Sequence, residues 1–302
     1  MSIELKLYKK MLLIRRFEER LLNEFSKGKL TGTTHAYIGQ EANAVGIADV
    51  LDSEDIIFIN HRCHGHFLAY GGDPYQLAAE IMGKPTGLVG GRGGSQHIHW
   101  RNFYSNGIQG GIVPIGLGMA FAEKQLGTGR IVLVFMGDGT FGEGIVYESF
   151  NFASLWKLPI LFVIENNYYA QTTPIEKALA GRIDDRIKAF GIKVWEYNTT
   201  DVLEIREHAL KAVTYVRTSN LPASLILNTY RFSAHSKGDD FRDPEEITRY
   251  KELDPIPLLR KKLNGAEADQ AEVEITSSLE FAFNHADSDL FADISKLTPI
   301  LL

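Results

Sequence analysis

Apolar residues in this chain alternate between two patterns: short unbroken runs and stripes at helical spacing. Residues 131–136 and 160–164 are unbroken apolar runs of strand length, and Ile56-Ile57-Phe58-Ile59 is another within 55–60; 223–227, interrupted by Ser224, and 192–194, interrupted by Lys193, read as strands too. Such runs predict strands buried on both faces of a parallel sheet. Helical spacing covers residues 3–27, where Leu5, Met11, Leu12, Ile14, Phe17, Leu21 and Phe25 stand amid Lys, Arg and Glu. It returns over 40–50, 114–125, 143–157 and 202–216, with Pro159 stopping the fourth stripe. Residues 168–174 read as a loop. Asp254-Pro255-Ile256-Pro257 predicts a further helix over 258–263, and from Gly265 a mostly polar helix runs into an apolar tail. Strands alternating with helices imply βαβ units, hence an α/β fold: a three-layer α/β/α sandwich on a mainly parallel sheet. Residues 1–302 are read as one domain with an N-terminal helix and a C-terminal helical extension. The stripe over 114–125 is rich in small residues (Gly116, Gly118, Ala120, Ala122), which predicts a helix–helix contact within the domain or across a dimer.

Composition narrows the classes. Hydrophobic residues at 44% and charged residues at 23% of 302 suit a water-soluble globular chain. The net charge of −6 is spread over mixed-sign segments, so no basic face invites nucleic acid or an acidic membrane. One cysteine, Cys63, excludes an intrachain disulfide framework and fits a reducing, cytoplasmic setting. Charge interrupts every apolar run of the first twenty residues, which therefore read as neither signal peptide nor membrane span.

Chemistry concentrates after the run 131–136. Gly137-Asp138-Gly139 closes that strand, a helix follows, and the next strand ends at Glu165-Asn166-Asn167. If the two strands are neighbours, Asp138 and Asn167 share the carboxyl edge, where open α/β sheets bind ligands. Gly137-x-Gly139-x-x-Gly142 also fits a dinucleotide fingerprint, with Glu165 as the ribose acid. Charge argues against that reading. Asp138 stands where a pyrophosphate would pass the backbone, and two like charges about 4 Å apart repel by roughly 4 kcal/mol at an effective dielectric of 20. A divalent cation reverses the sign. Magnesium takes oxygen ligands from one or two protein groups plus substrate phosphates, and here a carboxylate, an amide oxygen and a backbone carbonyl beyond Asn167 are on offer.

This arrangement resembles the signature of thiamine diphosphate enzymes. The resemblance implies that Asp138, Asn167 and the main-chain carbonyl of Tyr169 ligate Mg2+, with Gly139 and Thr140 of the turn against the cofactor. "HAYIGQEA" at 35–42 and "NHRCHGH" at 60–66 extend it to the alpha chain of the decarboxylating component of 2-oxo acid dehydrogenase complexes. Arg62 matches that family's diphosphate-binding arginine, and His35 a histidine facing the substrate. His61 stands where many pyruvate-type members carry tyrosine; the acetoin dehydrogenase alpha chains have histidine there. Gly83–Gly94 is a glycine-rich loop leading to Asn106-Gly107-Ile108-Gln109-Gly110, whose Gly107 and Gln109 match residues with backbone contacts to the aminopyrimidine. His235 matches the histidine beside the diphosphate and the reacting carbon.

His61, His64, His66, His97 and His99 could alternatively be read as a zinc set, but no further cysteine supports it, and Asp73 and Glu80, the carboxylates nearest in sequence, lie outside the cluster. Ring nitrogens bonded to loop carbonyls would account for some of them.

The resemblance spans residues 10–262. It implies a separate beta chain supplying the glutamate that activates the pyrimidine, in an α2β2 heterotetramer, and a lipoyl acyltransferase as a further partner. Two departures matter. Phe141-Gly142-Glu143-Gly144 resembles transketolases at that spot, which leaves the N-terminal half of a split transketolase as an alternative. The segment from His235 to Arg242 is shorter than in pyruvate and branched-chain enzymes, which keeps a small-molecule acceptor open beside a lipoyl group.

Overall fold

The computed structural model describes residues 1–30, 32–236, 238 and 240–291. The apolar tail, and Lys237 and Asp239 of the segment after His235, lie outside the described residues. The chain opens with helices α1 (Ile3–Ser26) and α2 (Glu41–Ala48), then strand β1 (Ile56–Ile59), helices α3 (His64–Ala69) and α4 (Pro74–Ile81), and strands β2 (His99–Trp100) and β3 (Phe103–Ser105). Helix α5 (Ile112–Leu126), strand β4 (Val132–Gly137), a 3-10 turn (Asp138–Gly142), helix α6 (Gly144–Leu155) and strand β5 (Ile160–Asn166) form the centre. Next come β6 (Tyr169–Ala170), β7 (Thr173–Pro174), α7 (Ile175–Ala178), α8 (Ile183–Lys188) and β8 (Lys193–Tyr197). The rest is α9 (Val202–Ser219), β9 (Ala223–Asn228), α10 (Pro244–Lys251), α11 (Pro255–Arg260) and α12 (Gly265–Ser288).

Seven strands make one sheet in the order β2-β3-β1-β4-β5-β9-β8. All neighbours are parallel except β2 and β3 at the edge. Alternation along the buried strands sorts the core into two halves. Ile57, Ile59, Leu133, Phe135, Leu161, Val163, Leu225 and Leu227 face the layer of α1, α2, α9 and α12. Ile56, Phe58, Val132, Val134, Met136, Ile160, Phe162, Ile164 and Ile226 face α5, α6 and α8. The expected α/β/α sandwich is therefore observed, and none of the described helices is long and apolar enough to cross a membrane.

Two expectations need correction. The helix after Asp254 is α11, which begins at Pro255: Asp254 caps it by accepting from Ile256 N at 3.1 Å, and Pro255 fills the first position, where no N–H is needed. Residues 168–174 close into the β6–β7 hairpin rather than an open loop. Helix α5 does contact another helix of the domain, α6, with Phe121 on Trp156, and its small residues divide between surfaces. Gly116 lies on the sheet, where a Cβ would overlap the Val134 side chain, whereas Gly118 meets nothing within 4 Å.

Candidate functional site

The strand order fixes where a ligand can enter. From β1 the chain crosses to β3 on one side, then returns to β4 and β5 on the other, so the direction of winding reverses between β1 and β4. The crevice at such a switch point is the usual ligand site of an open α/β sheet. Here a cavity of about 410 Å³ opens at the carboxyl ends of β1, β3, β4 and β5. Every site residue expected from sequence lines it: His35, His61, Arg62, Gly107, Gln109, Asp138, Gly139, Thr140, Asn167, Tyr169 and His235.

Asp138 follows β4 and is 1% exposed, with its Oδ2 lacking any hydrogen-bond partner. Burial pushes its carboxyl up to about 6, against the pull of the backbone N–H groups of Asp138, Asn167 and Gly139 and of Arg231. Asn167, just past β5, donates through Nδ2 to Gln40 Oε1 at 3.4 Å, and its Oδ1 accepts from Tyr169 N at 3.3 Å. Donation to Gln40 fixes the flip of this amide, so its oxygen turns to the loop. That loop is strained: Tyr168 and Gln171 sit at φ of 67° and 62° without being glycine, a conformation costing roughly 1–3 kcal/mol per residue. It is held by side chains. Tyr169 Oη donates to Glu246 Oε2 at 2.8 Å, and the Arg231 guanidinium donates to the Gln171 carbonyl. Gly139 permits the turn to close on it, because a Cβ there would stand 2.8 Å from Ala170 Cβ. An ionisable carboxylate with an orphaned buried oxygen, beside an oriented amide oxygen, is a donor set that suits a hard divalent cation.

Across the switch point Arg62 follows β1, 4% exposed, and donates to the Ala36 carbonyl. Burial and the nearby Arg231 lower its guanidinium to about 10, while Glu18 and Glu165 oppose them; it stays charged at neutral pH. One buried arginine lining the crevice and a second, Arg231, behind its wall make a field that fits an anionic group with more than one charge. Beneath them Glu165 accepts from Tyr37 Oη and Asn43 Nδ2 and lies 3.3 Å from His66 Nε2. Burial alone would raise its carboxyl, but His66, Tyr37 and Asn43 hold it below the ordinary value.

The histidines divide in two. His64 is wholly buried, bonded to Glu18 at 3.2 Å and to the Ser95 carbonyl at 3.0 Å. His66 turns to Tyr37 and Glu165, His97 Nε2 faces Gly107 N at 3.5 Å, and His99 stacks on Tyr104. The five do not converge as a zinc set, and the carboxylates that partner them, Glu18 and Glu165, come from far along the chain. The loop-carbonyl expectation holds for His64. A different trio converges. His35 and His61 ring centres lie 4.4 Å apart, His35 and His235 4.7 Å, and His61 and His235 5.3 Å. Burial, then Arg62, His35 and His235, hold His61 well below its usual pKa, so it is neutral at pH 7. Gln109 bonds His61 Nδ1 through its side chain, a role beyond the backbone contact expected of it.

Sequence reasoning missed Gln40, Gln96 and Gln171 in the cavity wall, and Arg231 behind it. The sequence offers Glu165 as a ribose acid and as part of the strand ending, but not as the partner of Tyr37, Asn43 and His66. Gln40 lies within the 35–42 stretch whose His35 alone suggests chemistry, Gln96 and Gln171 sit in no motif of chemical meaning, and Arg231 is four residues before His235 on a segment whose one evident reactive group is that histidine. Clustering of charge near the end of β9 was the one signal available.

The chain matches the family described as "Dehydrogenase E1 component" over residues 9–294. It is 39% identical to the pyruvate dehydrogenase E1 component subunit alpha of Rickettsia bellii, over 93% of this chain and 91% of that one. The subunit of the same name from Zymomonas mobilis is 40% identical over 96% of this chain and 88% of its own length. That of Rhizobium meliloti is 37% identical over 99% and 90%. Matching over nearly its whole length, the chain belongs to the dehydrogenase E1 component family, whose members use thiamine diphosphate.

Proposed function

We propose that this chain is the alpha subunit of a thiamine diphosphate-dependent 2-oxo acid dehydrogenase of the pyruvate type, with Asp138, Asn167 and the Tyr169 carbonyl holding Mg2+. The orphaned Oδ2 of buried Asp138, facing Arg62 across the switch point, carries the reading. An isolated carboxylate at that depth is costly unless a cation arrives. The described fold supports one domain, since α1 and α12 pack on each other and on the common core.

Arg62 receives the diphosphate end, with the charge of Arg231 behind the wall. Gly107 and Gln109 offer their backbone to the aminopyrimidine, and the Gln96 side chain occupies the space that a Cβ on Gly107 would need. Thiamine diphosphate supplies, when bound, the carbon nucleophile for the 2-oxo group and a sink for the electron pair left on decarboxylation. His61 is neutral and adds no charge to the reacting centre, and its Nδ1 is fixed by Gln109. His35 and His235 stand over the same space and are placed to give or take a proton at a substrate oxygen. The glutamate that activates the pyrimidine comes from a beta chain, in an α2β2 assembly that passes the acyl unit to a lipoyl group.

Titration calorimetry tests the core of this reading. Thiamine diphosphate should bind with Mg2+ present and lose at least two orders of magnitude of affinity in EDTA or in Asp138→Asn. Equal affinity with and without the metal would sink the assignment.

A further inference from the structure

One wall of the cofactor cavity has little packing behind it. A second cavity, of about 490 Å³, lies beyond the glycine-rich loop and is lined by Glu80, Gly91, Arg92, Gln96 and His97 among others. Gln96 belongs to both cavities. The loop between them carries Gly83, Gly90, Gly91 and Gly94 at positive φ and has no helix or strand of its own. Leu88 of the loop packs against the main core, but the stretch 89–94 has no residue in either half of the core, and a glycine-rich segment loses much entropy on ordering.

What holds it is one side chain. Glu80, on the last turn of α4, is fully buried and has no lysine or arginine ion pair among the described residues. Its two oxygens accept four backbone N–H groups of the loop. Oε2 takes Val89 N at 2.8 Å and Gly91 N at 2.9 Å; Oε1 takes Gly93 N at 2.6 Å and Gly94 N at 3.3 Å. Charge-assisted bonds of this kind are the strong ones. The chain leaves this nest through Ser95, whose carbonyl accepts from His64 at 3.0 Å, and Gln96, whose carbonyl accepts from Ser105 Oγ at 2.9 Å. The Gln96 amide then stands 3.5 Å from His35 Nδ1 and fills the space a Cβ on Gly107 would take.

We propose that Glu80 is a positioning residue for the reaction: its carboxylate substitutes for a core in holding the wall that carries Gln96 against Gly107 and His35. This rests on the function proposed above, in which that wall faces the pyrimidine and the substrate. Glu80→Gln keeps the shape but turns one acceptor into an NH2 group that opposes the N–H donors.

In the chain assembled with its beta partner, hydrogen exchange at Gly91, Gly93 and Gly94 of E80Q should rise at least tenfold, with exchange in β4 and β5 unchanged. Affinity for thiamine diphosphate and Mg2+, set at the Asp138 end, should change less than threefold, while kcat at saturating cofactor falls at least tenfold. Gln96→Leu should reproduce the kcat loss without the faster exchange. Unchanged loop exchange in E80Q overturns the proposal whatever the activity, and so does a kcat loss that only tracks the folded fraction. Failure of the unsubstituted assembly to bind cofactor would instead strike the functional reading, with the exchange result still deciding what Glu80 holds.

Discussion

Asp138 couples the stability of the empty chain to the pH dependence of binding, with opposite signs. Its folded carboxyl titrates at about 6, above the ordinary 3.8. Between those values the folded chain binds more protons than the unfolded one, so stability falls as pH rises from about 4 through 6, by on the order of 3 kcal/mol, then levels. A cation needs the carboxylate, so metal-dependent cofactor affinity should fall roughly tenfold per pH unit below about 6. Asp138→Asn should remove both slopes; urea titrations at pH 4.5 and 7 on both proteins isolate its share from other carboxylates. His235→Ala should lower turnover more than cofactor affinity if the histidine moves a proton, and the reverse if it only neutralises phosphate charge, a split that steady-state kinetics reads directly. These residues were legible because each stands in a short motif next to a strand end. Gln96, Gln171, Arg231 and the Glu165 network were not, because their meaning comes from chain folded back over tens of residues.

Among the elements, strength of pattern decided legibility. The amphipathic stripes of α1 and α9 and the apolar runs of β4, β5 and β9 appear within a few residues of their expected bounds. Strands of two or three residues, β2, β3, β6 and β7, are too short to leave a period and were missed. So were α4 and α10, although both carry a signal that was there to read. Asp73-Pro74, Asp243-Pro244 and Asp254-Pro255 each place a capping carboxylate before a proline at the first helical turn, and each aspartate accepts from the backbone two residues on. Asp73→Ala should therefore cost about 1 kcal/mol in chemical denaturation. Because α4 carries Glu80, the same variant should loosen the glycine-rich loop before the sheet.

At the scale of the molecule, an aromatic patch crosses the outer face of α5 and α6. Phe121 and Phe152 both pack on Trp156, with ring centres 5.1 and 4.7 Å away, and all three are exposed. Exposed apolar surface of this kind marks association, in keeping with the beta-subunit partner that the family implies. The purified chain should bind cofactor weakly and show no turnover until its beta partner is added; full activity of the chain alone, in a dye-reduction assay with a 2-oxo acid, would refute that.

The pairing of α1 with α12 bears on how the protein is made. Lys9 meets Glu274 at 2.7 Å, Arg16 meets Glu272 at 3.0 Å, and Phe17 lies on Phe283 with ring centres 5.0 Å apart. These partners are 265, 256 and 266 positions apart. At a synthesis rate of about 5–20 residues per second, the apolar stripe of α1 waits on the order of 13–50 s before its cover emerges from the ribosome. During that interval a nascent chain displays the surface that holdase chaperones recognise, so its yield in a cell depends on them as well as on its final stability.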